Sequence, residues 1–110
     1  MEEKRDAKRL NSFISAVYNG RECFITDITY EGASLFFTDK ITLNKDDIIN
    51  LSIDLSNITY VINRKINITA KVVWIKIRDN NTFVGLLFIN NKEKEDIDLL
   101  VKSWQSLKPE

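Results

Sequence analysis

The chain has 110 residues, of which 44% are hydrophobic and 29% charged, and its 16 cationic and 16 anionic side chains balance to a net charge of zero, as in a single globular domain. It contains no histidine, one cysteine (Cys23) and three widely spaced glycines, which excludes histidine-dependent catalysis, an intrachain disulfide, a Cys-rich zinc site and a phosphate-binding loop. No apolar run is long enough to span a membrane, and the opening MEEKRD is not a secretory signal. A chain with no net charge is also poorly suited to coat DNA. We therefore expect a cytoplasmic binding module that has no catalytic activity and needs no cofactor.

The first predicted element is a β-hairpin. Residues 12–18 begin with alternation, and three apolar side chains compete for the inward face: Phe13, Ile14 and Val17. Asn19-Gly20 follows, a strong hairpin signal because a type I′ turn needs two residues with positive φ. The return strand RECFITDI would place Cys23, Ile25 and Asp27 on one face, and Phe24, Thr26 and Ile28 on the other.

Four more strands are predicted between residues 33 and 89. ASLFF is a short apolar strand after the break TYEG, and FVGLLFI, after the turn RDNNT, is almost continuously apolar. IINLSIDL and KINITAKVVWIKI instead alternate with the period of two that a half-buried strand requires. Their inward positions are Ile49, Leu51, Ile53 and Leu55 in the first, and Ile66, Ile68, Ala70, Val72 and Trp74 in the second. Strands at this density predict an antiparallel barrel or sandwich.

The last twenty residues change to a helical period. The apolar side chains there form one stripe of an amphipathic helix, and they are Ile97, Leu100, Val101, Trp104 and Leu107. Asn90, with Glu93 three residues later, predicts a capping box, and Pro109 lies just past the end. Because so short a helix is marginal alone, its stripe must pack on the barrel or on a partner.

Two polar clusters are candidates for binding. Arg5 and Arg9 lie in KRDAKR, and their planar guanidiniums match a phosphate or a guanine Hoogsteen edge. In DITYEG, Asp27 offers two acceptors suited to guanine N1–H and N2–H, Thr29 adds a hydroxyl, and Gly32 permits the positive φ of a tight connection. Taken singly, the first cluster is typical of a solvated charged arm and the second of an ordinary strand-ending turn.

The order of these features resembles the PilZ family. That family's signature is Arg-x-x-x-Arg followed, after a strand pair, by Asp/Asn-x-Ser-x-x-Gly, and this sequence has Arg5-x-x-x-Arg9 and Asp27-x-Thr29-x-x-Gly32. KVVWI resembles the family's late strand, VGLLF its Gly-containing strand, and the terminal helix also matches. The resemblance implies a single domain over 1–110, with a ligand-binding arm at 1–10, a six-stranded antiparallel PilZ-type β-barrel at 11–90 and a C-terminal α-helix at 91–108.

What the resemblance implies in function is binding of the bacterial second messenger cyclic di-GMP. Arg5 and Arg9 would grip guanine edges and phosphates, and Lys4 stands where many members have another arginine. At the barrel rim, the implied ligand contacts come from Asp27 and Thr29, with Gly32 shaping the turn. Thr29 replaces the more usual serine. It keeps the hydroxyl and adds a methyl group, which bears on affinity more than on the existence of the site.

The chemistry of the ligand agrees with this assignment. Cyclic di-GMP carries two phosphates and two purines, and arginine supplies both bidentate donation and stacking where lysine supplies only charge. Hydrogen bonds to charged groups contribute about 1.5–3 kcal/mol each, a useful part of the roughly 8 kcal/mol of a micromolar complex. The arm has no apolar anchor before Leu10, so ordering it over the ligand would consume affinity and would itself be the signal.

The leading hypothesis is a stand-alone cyclic di-GMP receptor, a monomer or weak dimer, that relays ligand occupancy to an unidentified protein of the motility, polysaccharide or regulatory machinery. An alternative is a PilZ-like interaction module that binds no nucleotide, although such members have typically lost the arginine motif. A third is a small barrel that stacks single-stranded nucleic acid on Phe36, Phe37 and Tyr60, against which the zero net charge counts. Whether one ligand or an intercalated pair binds is left open.

Overall fold

Six strands close into a barrel in the computed structural model, which describes residues 14–57 and 64–107. In chain order they are β1 (Ile14–Tyr18), β2 (Arg21–Ile28), β3 (Gly32–Phe37), β4 (Ile48–Asp54), β5 (Lys65–Arg78) and β6 (Asn81–Phe88). Around the barrel the order is β1-β2-β3-β6-β5-β4, and every neighbouring pair is antiparallel. The predicted fold class, a mainly β six-stranded antiparallel barrel with a C-terminal helix, is confirmed.

Two tight turns join neighbouring strands. Asn19 and Gly20, between β1 and β2, have φ values of 52° and 78°, as a type I′ turn requires. Asp79 and Asn80, between β5 and β6, have φ values of 53° and 66°. Glycine, asparagine and aspartate adopt this left-handed conformation more readily than other residues, which is why the sequence predicted both turns correctly.

Inward-facing aliphatic side chains fill the barrel. The alternation predicted for β4 and the first half of β5 is confirmed by the buried residues Ile49, Leu51, Ile53, Leu55, Ile66, Ile68, Ala70 and Val72. On β1, Ile14 and Ala16 are buried and Val17 is exposed, which settles the competition for the inward face among the described residues. Full burial of one branched aliphatic side chain contributes about 1.5–3 kcal/mol, so this interior is the main source of stability.

Two β-bulges reverse the predicted facing of strand ends. The β2–β3 register shifts between Ile25 and Asp27, so Ile28 is buried and Asp27 exposed. The prediction that Asp27 shares the face of Ile25 is therefore wrong. The β5–β6 register shifts between Val72 and Trp74, and Trp74 is 46% exposed instead of inward-facing as predicted. An extra residue in one strand changes the face of all that follow it.

The C-terminal helix packs its apolar stripe against the barrel. After a 3₁₀ turn at Asn91–Glu93, helix α1 spans Lys94–Leu107 and packs against β5. The predicted apolar stripe is confirmed for the four residues whose side chains are described, Ile97, Leu100, Val101 and Trp104, all of which are buried. No helix in residues 14–57 and 64–107 is long and apolar enough to cross a membrane.

The start of the helix is capped, but not by the full reciprocal box that the sequence predicted. The side chain of Asn90 accepts a hydrogen bond from the Lys92 N–H at 3.0 Å. The Glu93 carboxylate turns to β5, where it accepts from the Thr69 N–H at 2.8 Å and the Thr69 hydroxyl at 2.9 Å. Pro109 lies outside the described residues.

Candidate functional site

The candidate site lies at the end of the barrel that carries the helix, which we call the helix-side rim. Here β2 and β6 end, and β1 and β3 begin. The register places Ile14 opposite Ile25 and Gly32 opposite Leu87. The antiparallel order therefore gathers the start of β1, the turn between β2 and β3, and the end of β6 at one edge.

Asp27 faces solvent at this rim because of the bulge in β2. It follows the register shift after Ile25 and pairs with Ser34 of β3. Without the bulge, strict alternation from the buried Ile25 would point the Asp27 carboxylate into an apolar interior, where an unpaired charge is very costly. The bulge thus turns the position into an exposed acceptor, and among the described residues the carboxylate makes no hydrogen bond or ion pair.

Thr29 organises the turn that follows. Its hydroxyl accepts hydrogen bonds from the Glu31 N–H at 3.2 Å and the Gly32 N–H at 3.3 Å. Its own N–H donates to the Gly32 carbonyl at 2.9 Å. A hydroxyl has two acceptor lone pairs and one proton, so both lone pairs are already engaged within the turn. Holding the shape of the rim is the role the geometry gives this side chain.

Gly32 is required for a different reason from the predicted positive φ. In the described residues Gly20 is the glycine with a positive φ, so that explanation for Gly32 is wrong. A Cβ on Gly32 would collide with the backbone carbonyl of Leu86 on β6. The adjacent Phe88 N–H donates to the Glu31 carbonyl at 2.8 Å. The missing side chain lets the turn lie directly against the end of β6.

Tyr30 is a rim residue that sequence reasoning missed. It lies inside the turn, between Thr29 and Glu31, and is 56% exposed. The pKa of Lys102 on α1 is raised mainly by the hydrogen bond that its ammonium donates to Asp98 and by the Asp98 charge, and Tyr30 adds a smaller contribution in the same direction. In the sequence, the feature that could have indicated Tyr30 is an aromatic residue inside the predicted break TYEG.

Lys4, Arg5 and Arg9 lie outside the described residues. Their chain joins the barrel at Ile14, which pairs with Ile25, two residues before Asp27. The segment that carries the cations is thus attached at the same rim as the acidic strand end. Near Asp27 and Tyr30 the other exposed acid is Glu31, so the turn itself offers carboxylates and an aromatic ring.

Two other sequence candidates are accounted for by the core. Cys23 is buried, and burial is the main reason that its pKa is raised to about 12, with the Glu22 charge adding to it. The thiol is therefore protonated and packs as a small core residue. Phe37 is 1% exposed, so the prediction that it could stack on a base is wrong. Tyr60 lies outside the described residues.

Comparison with known proteins identifies the family. No curated protein matches this chain. The family model described as PilZ domain matches residues 3–103, a range that includes both arginines of the N-terminal segment and the whole turn from Asp27 to Gly32. PilZ domains are in general receptor modules for cyclic di-GMP. The chain therefore belongs to the PilZ domain family, as its sequence order and closed barrel both indicate.

Proposed function

We propose that this protein is a stand-alone cyclic di-GMP receptor in which the N-terminal segment closes over a ligand held at the helix-side rim. The observation that carries the proposal is that the start of β1 and the exposed Asp27 share one edge of the barrel. Arg5 and Arg9, with Lys4 beside them, supply the cations. Asp27 supplies the acceptor for a guanine edge, and the turn from Thr29 to Gly32 supplies the shape.

The proposed site needs the cations of the N-terminal segment because the turn itself carries negative charge. The described turn carries two exposed carboxylates, Asp27 and Glu31, which repel the phosphates of a cyclic dinucleotide. A carboxylate can accept from guanine N1–H and N2–H, but phosphates require cationic donors. In the proposed complex, Asp27 reads one base while the arginines neutralise the phosphates and stack on the purines.

The N-terminal segment is long enough for its arginines to contact a ligand that is bound at Asp27. Arg9 is five residues before Ile14, so its Cα lies within about 18 Å of the Ile14 Cα whatever path the chain takes. Asp27 is two residues beyond the partner of Ile14, about 7 Å further along the strand. Arg9 can therefore meet a ligand at Asp27, and Arg5, four residues earlier, can reach its far side.

Tyr30 adds a stacking surface to the proposed site. Its side chain is 56% exposed, in the turn that follows Asp27 on β2. Aromatic faces stack on purines in many nucleotide sites, and each such stack contributes about 1–3 kcal/mol. The ligand would thus lie between the aromatic turn and the cationic segment, and occupancy would be relayed to a downstream protein through the ordering of that segment over the rim.

Titration calorimetry with cyclic di-GMP tests the proposal directly. The wild-type protein should bind in the micromolar range, and Arg5→Ala or Arg9→Ala should weaken binding about tenfold to a hundredfold, because each removes hydrogen bonds to charged groups. Asp27→Ala should also weaken binding, since it removes both acceptor oxygens that the guanine edge needs.

Arg21→Ala is the matched control. Arg21 lies at the other end of the barrel, where it forms an exposed ion pair with Asp39 at 2.7 Å, so its removal should leave nucleotide affinity unchanged and stability nearly so. The unfolding midpoints of the ligand-free Arg5 and Arg9 variants should equal that of the wild type. Wild-type protein that gives no heat with about 100 μM ligand would contradict the proposal and favour an interaction module that binds no nucleotide.

A further inference from the structure

A row of aromatic side chains crosses the outer surface of the barrel. Phe24 on β2 pairs with Phe36 on β3, and Phe36 pairs with Phe83 on β6. The residues on either side of each phenylalanine are buried or face inward, so alternation places all three rings on the outer face. The centroids of the Phe36 and Phe83 rings are 5.1 Å apart. The three phenylalanines thus lie side by side on the outer face of three adjacent strands.

Two larger exposed side chains widen this row. Trp74 is 46% exposed and lies over Gly85, because a Cβ on Gly85 would collide with its indole ring. Leu87, two residues further along β6, is 41% exposed. We call the five residues Phe24, Phe36, Phe83, Trp74 and Leu87 the aromatic belt. A contiguous apolar surface of this kind usually marks an interaction site.

The two flanks of the aromatic belt carry opposite charge. On the β5 side, Lys71 pairs with Leu87 and Lys76 pairs with Phe83. Besides Lys65 at the start of β5 and Arg21, which is paired with Asp39, the flanks carry Arg78 on the β5 side, and Glu22 and Asp27 on the β2 side. The ion pairs of the described residues are Arg21–Asp39, Arg64–Asp96 and Lys102–Asp98, so none of the other flanking charges is neutralised within residues 14–57 and 64–107.

We propose that the aromatic belt is the contact surface between two copies of this chain. A two-fold axis parallel to the strands places the cationic flank of each copy opposite the anionic flank of the other, as an isologous interface requires. Because the outer face of a closed barrel is convex, the two copies meet along β3 and β6, where Phe36 and Phe83 lie. A uniformly acidic partner, or a nucleic acid, would be attracted to one flank and repelled by the other.

The size of the belt indicates how tightly the copies associate. Four strands about 4.8 Å apart, each with about three outward residues about 6.8 Å apart, present at most roughly 400 Å² per copy, because the barrel surface curves away. The total of roughly 800 Å² is below the range of stable interfaces and within that of weak, transient ones. The association is therefore expected to depend on protein concentration. It goes beyond the proposed nucleotide receptor and requires no nucleotide.

Sedimentation velocity without nucleotide, over a concentration series from about 10 μM to about 1 mM, measures the association. The two-fold arrangement sets Glu22 of one copy against Arg78 of the other. Glu22→Arg and Arg78→Glu should each weaken dimerisation at least about tenfold, because like charges then face each other twice. The double variant restores opposite charges and should dimerise as the wild type does.

Lys45→Glu is the matched control, because it makes the same charge change as Arg78→Glu on the exposed loop between β3 and β4, and it should leave dimerisation unchanged. Trp74→Ala should abolish the dimer, and thermal unfolding of each variant checks that it is folded. Wild-type protein that stays monomeric throughout the series overturns the proposal. So does a double variant that is folded but no more dimeric than either single variant.

Discussion

Gly32 and Gly85 both leave no room for a larger side chain, but their neighbours differ. A Cβ on Gly32 would meet the backbone carbonyl of Leu86, whereas a Cβ on Gly85 would meet the indole ring of Trp74. The carbonyl is held by the pairing of β3 with β6 and cannot move without breaking that ladder. The indole is half exposed and can rotate away. Equal changes at the two glycines should therefore have unequal costs.

We expect Gly32→Ala to lower the free energy of unfolding by about 2–3 kcal/mol, as overpacking against fixed atoms does, and Gly85→Ala by about 1 kcal/mol. Urea denaturation of both variants measures the difference. In a Trp74→Ala background, where the obstructing ring is absent, Gly85→Ala should become nearly neutral while Gly32→Ala keeps its full cost. Identical losses at the two positions would show that steric contact is not the reason for these glycines.

The described part of the candidate site shows how far the roles of single residues can be predicted from the sequence. Asp27, Thr29 and Gly32 were found because their spacing at the end of a strand is visible in the sequence. Their physical roles were less accessible. The Thr29 hydroxyl is hydrogen-bonded within its own turn, and Gly32 is required by the nearby Leu86 carbonyl. Both roles depend on residues that are neighbours in space. Tyr30 was missed because a single aromatic residue in a turn has no periodicity.

Among the elements, helix α1 is attached to the barrel by polar contacts as well as by its apolar stripe. The Glu93 carboxylate joins the 3₁₀ turn before the helix to Thr69 of β5 through two hydrogen bonds. Arg64, just before β5, pairs with Asp96 of the helix at 2.9 Å. These contacts fix the direction in which the helix leaves β6.

Glu93→Ala is expected to lower the free energy of unfolding by about 1–3 kcal/mol, because it leaves the Thr69 N–H without an acceptor and the Thr69 hydroxyl with Asn50 alone. Glu95→Ala is the matched control. It removes an exposed carboxylate from the first turn of the same helix and should cost at most about 0.3–1 kcal/mol through the helix dipole. Chemical denaturation followed by tryptophan fluorescence compares them, and an equal cost for the two variants would count against the proposed anchoring role of Glu93.

The strands and helix themselves were largely predictable, and the bulges were not. The two-residue period of β4, the Asn19-Gly20 turn and the helical stripe are local patterns set by backbone geometry. A bulge depends on how two strands align, which is a property of the pair and not of either sequence. The reversed facing of Asp27 and Trp74 therefore appears only when β2 meets β3 and β5 meets β6.

In the molecule as a whole, the contact between β1 and β4 closes the barrel. Within the described residues β1 spans five positions and pairs with β4 at Val17 and Ser52, whereas β4 pairs with β5 along its full length. A groove of about 270 Å³ lies beside this seam, and its lining includes Asp54 and Lys65. Short pairing next to an open groove makes this the seam that opens most easily. β1 is also the strand that directly follows the cationic segment.

Hydrogen exchange followed by mass spectrometry should therefore report ligand binding at β1. Without nucleotide, amides of β1 should exchange faster than those of β5, because local opening of the weakest seam costs the least free energy. If the segment before Ile14 closes over cyclic di-GMP, it restrains β1 from its N-terminal end, and exchange in β1 should slow on binding. The Asp79-Asn80 turn at the other end of the barrel should be unaffected, and Arg9→Ala should lose the slowing together with the affinity. Tight binding of cyclic di-GMP with unchanged exchange in β1 would support the proposed ligand site but contradict the proposed relay through the N-terminal segment.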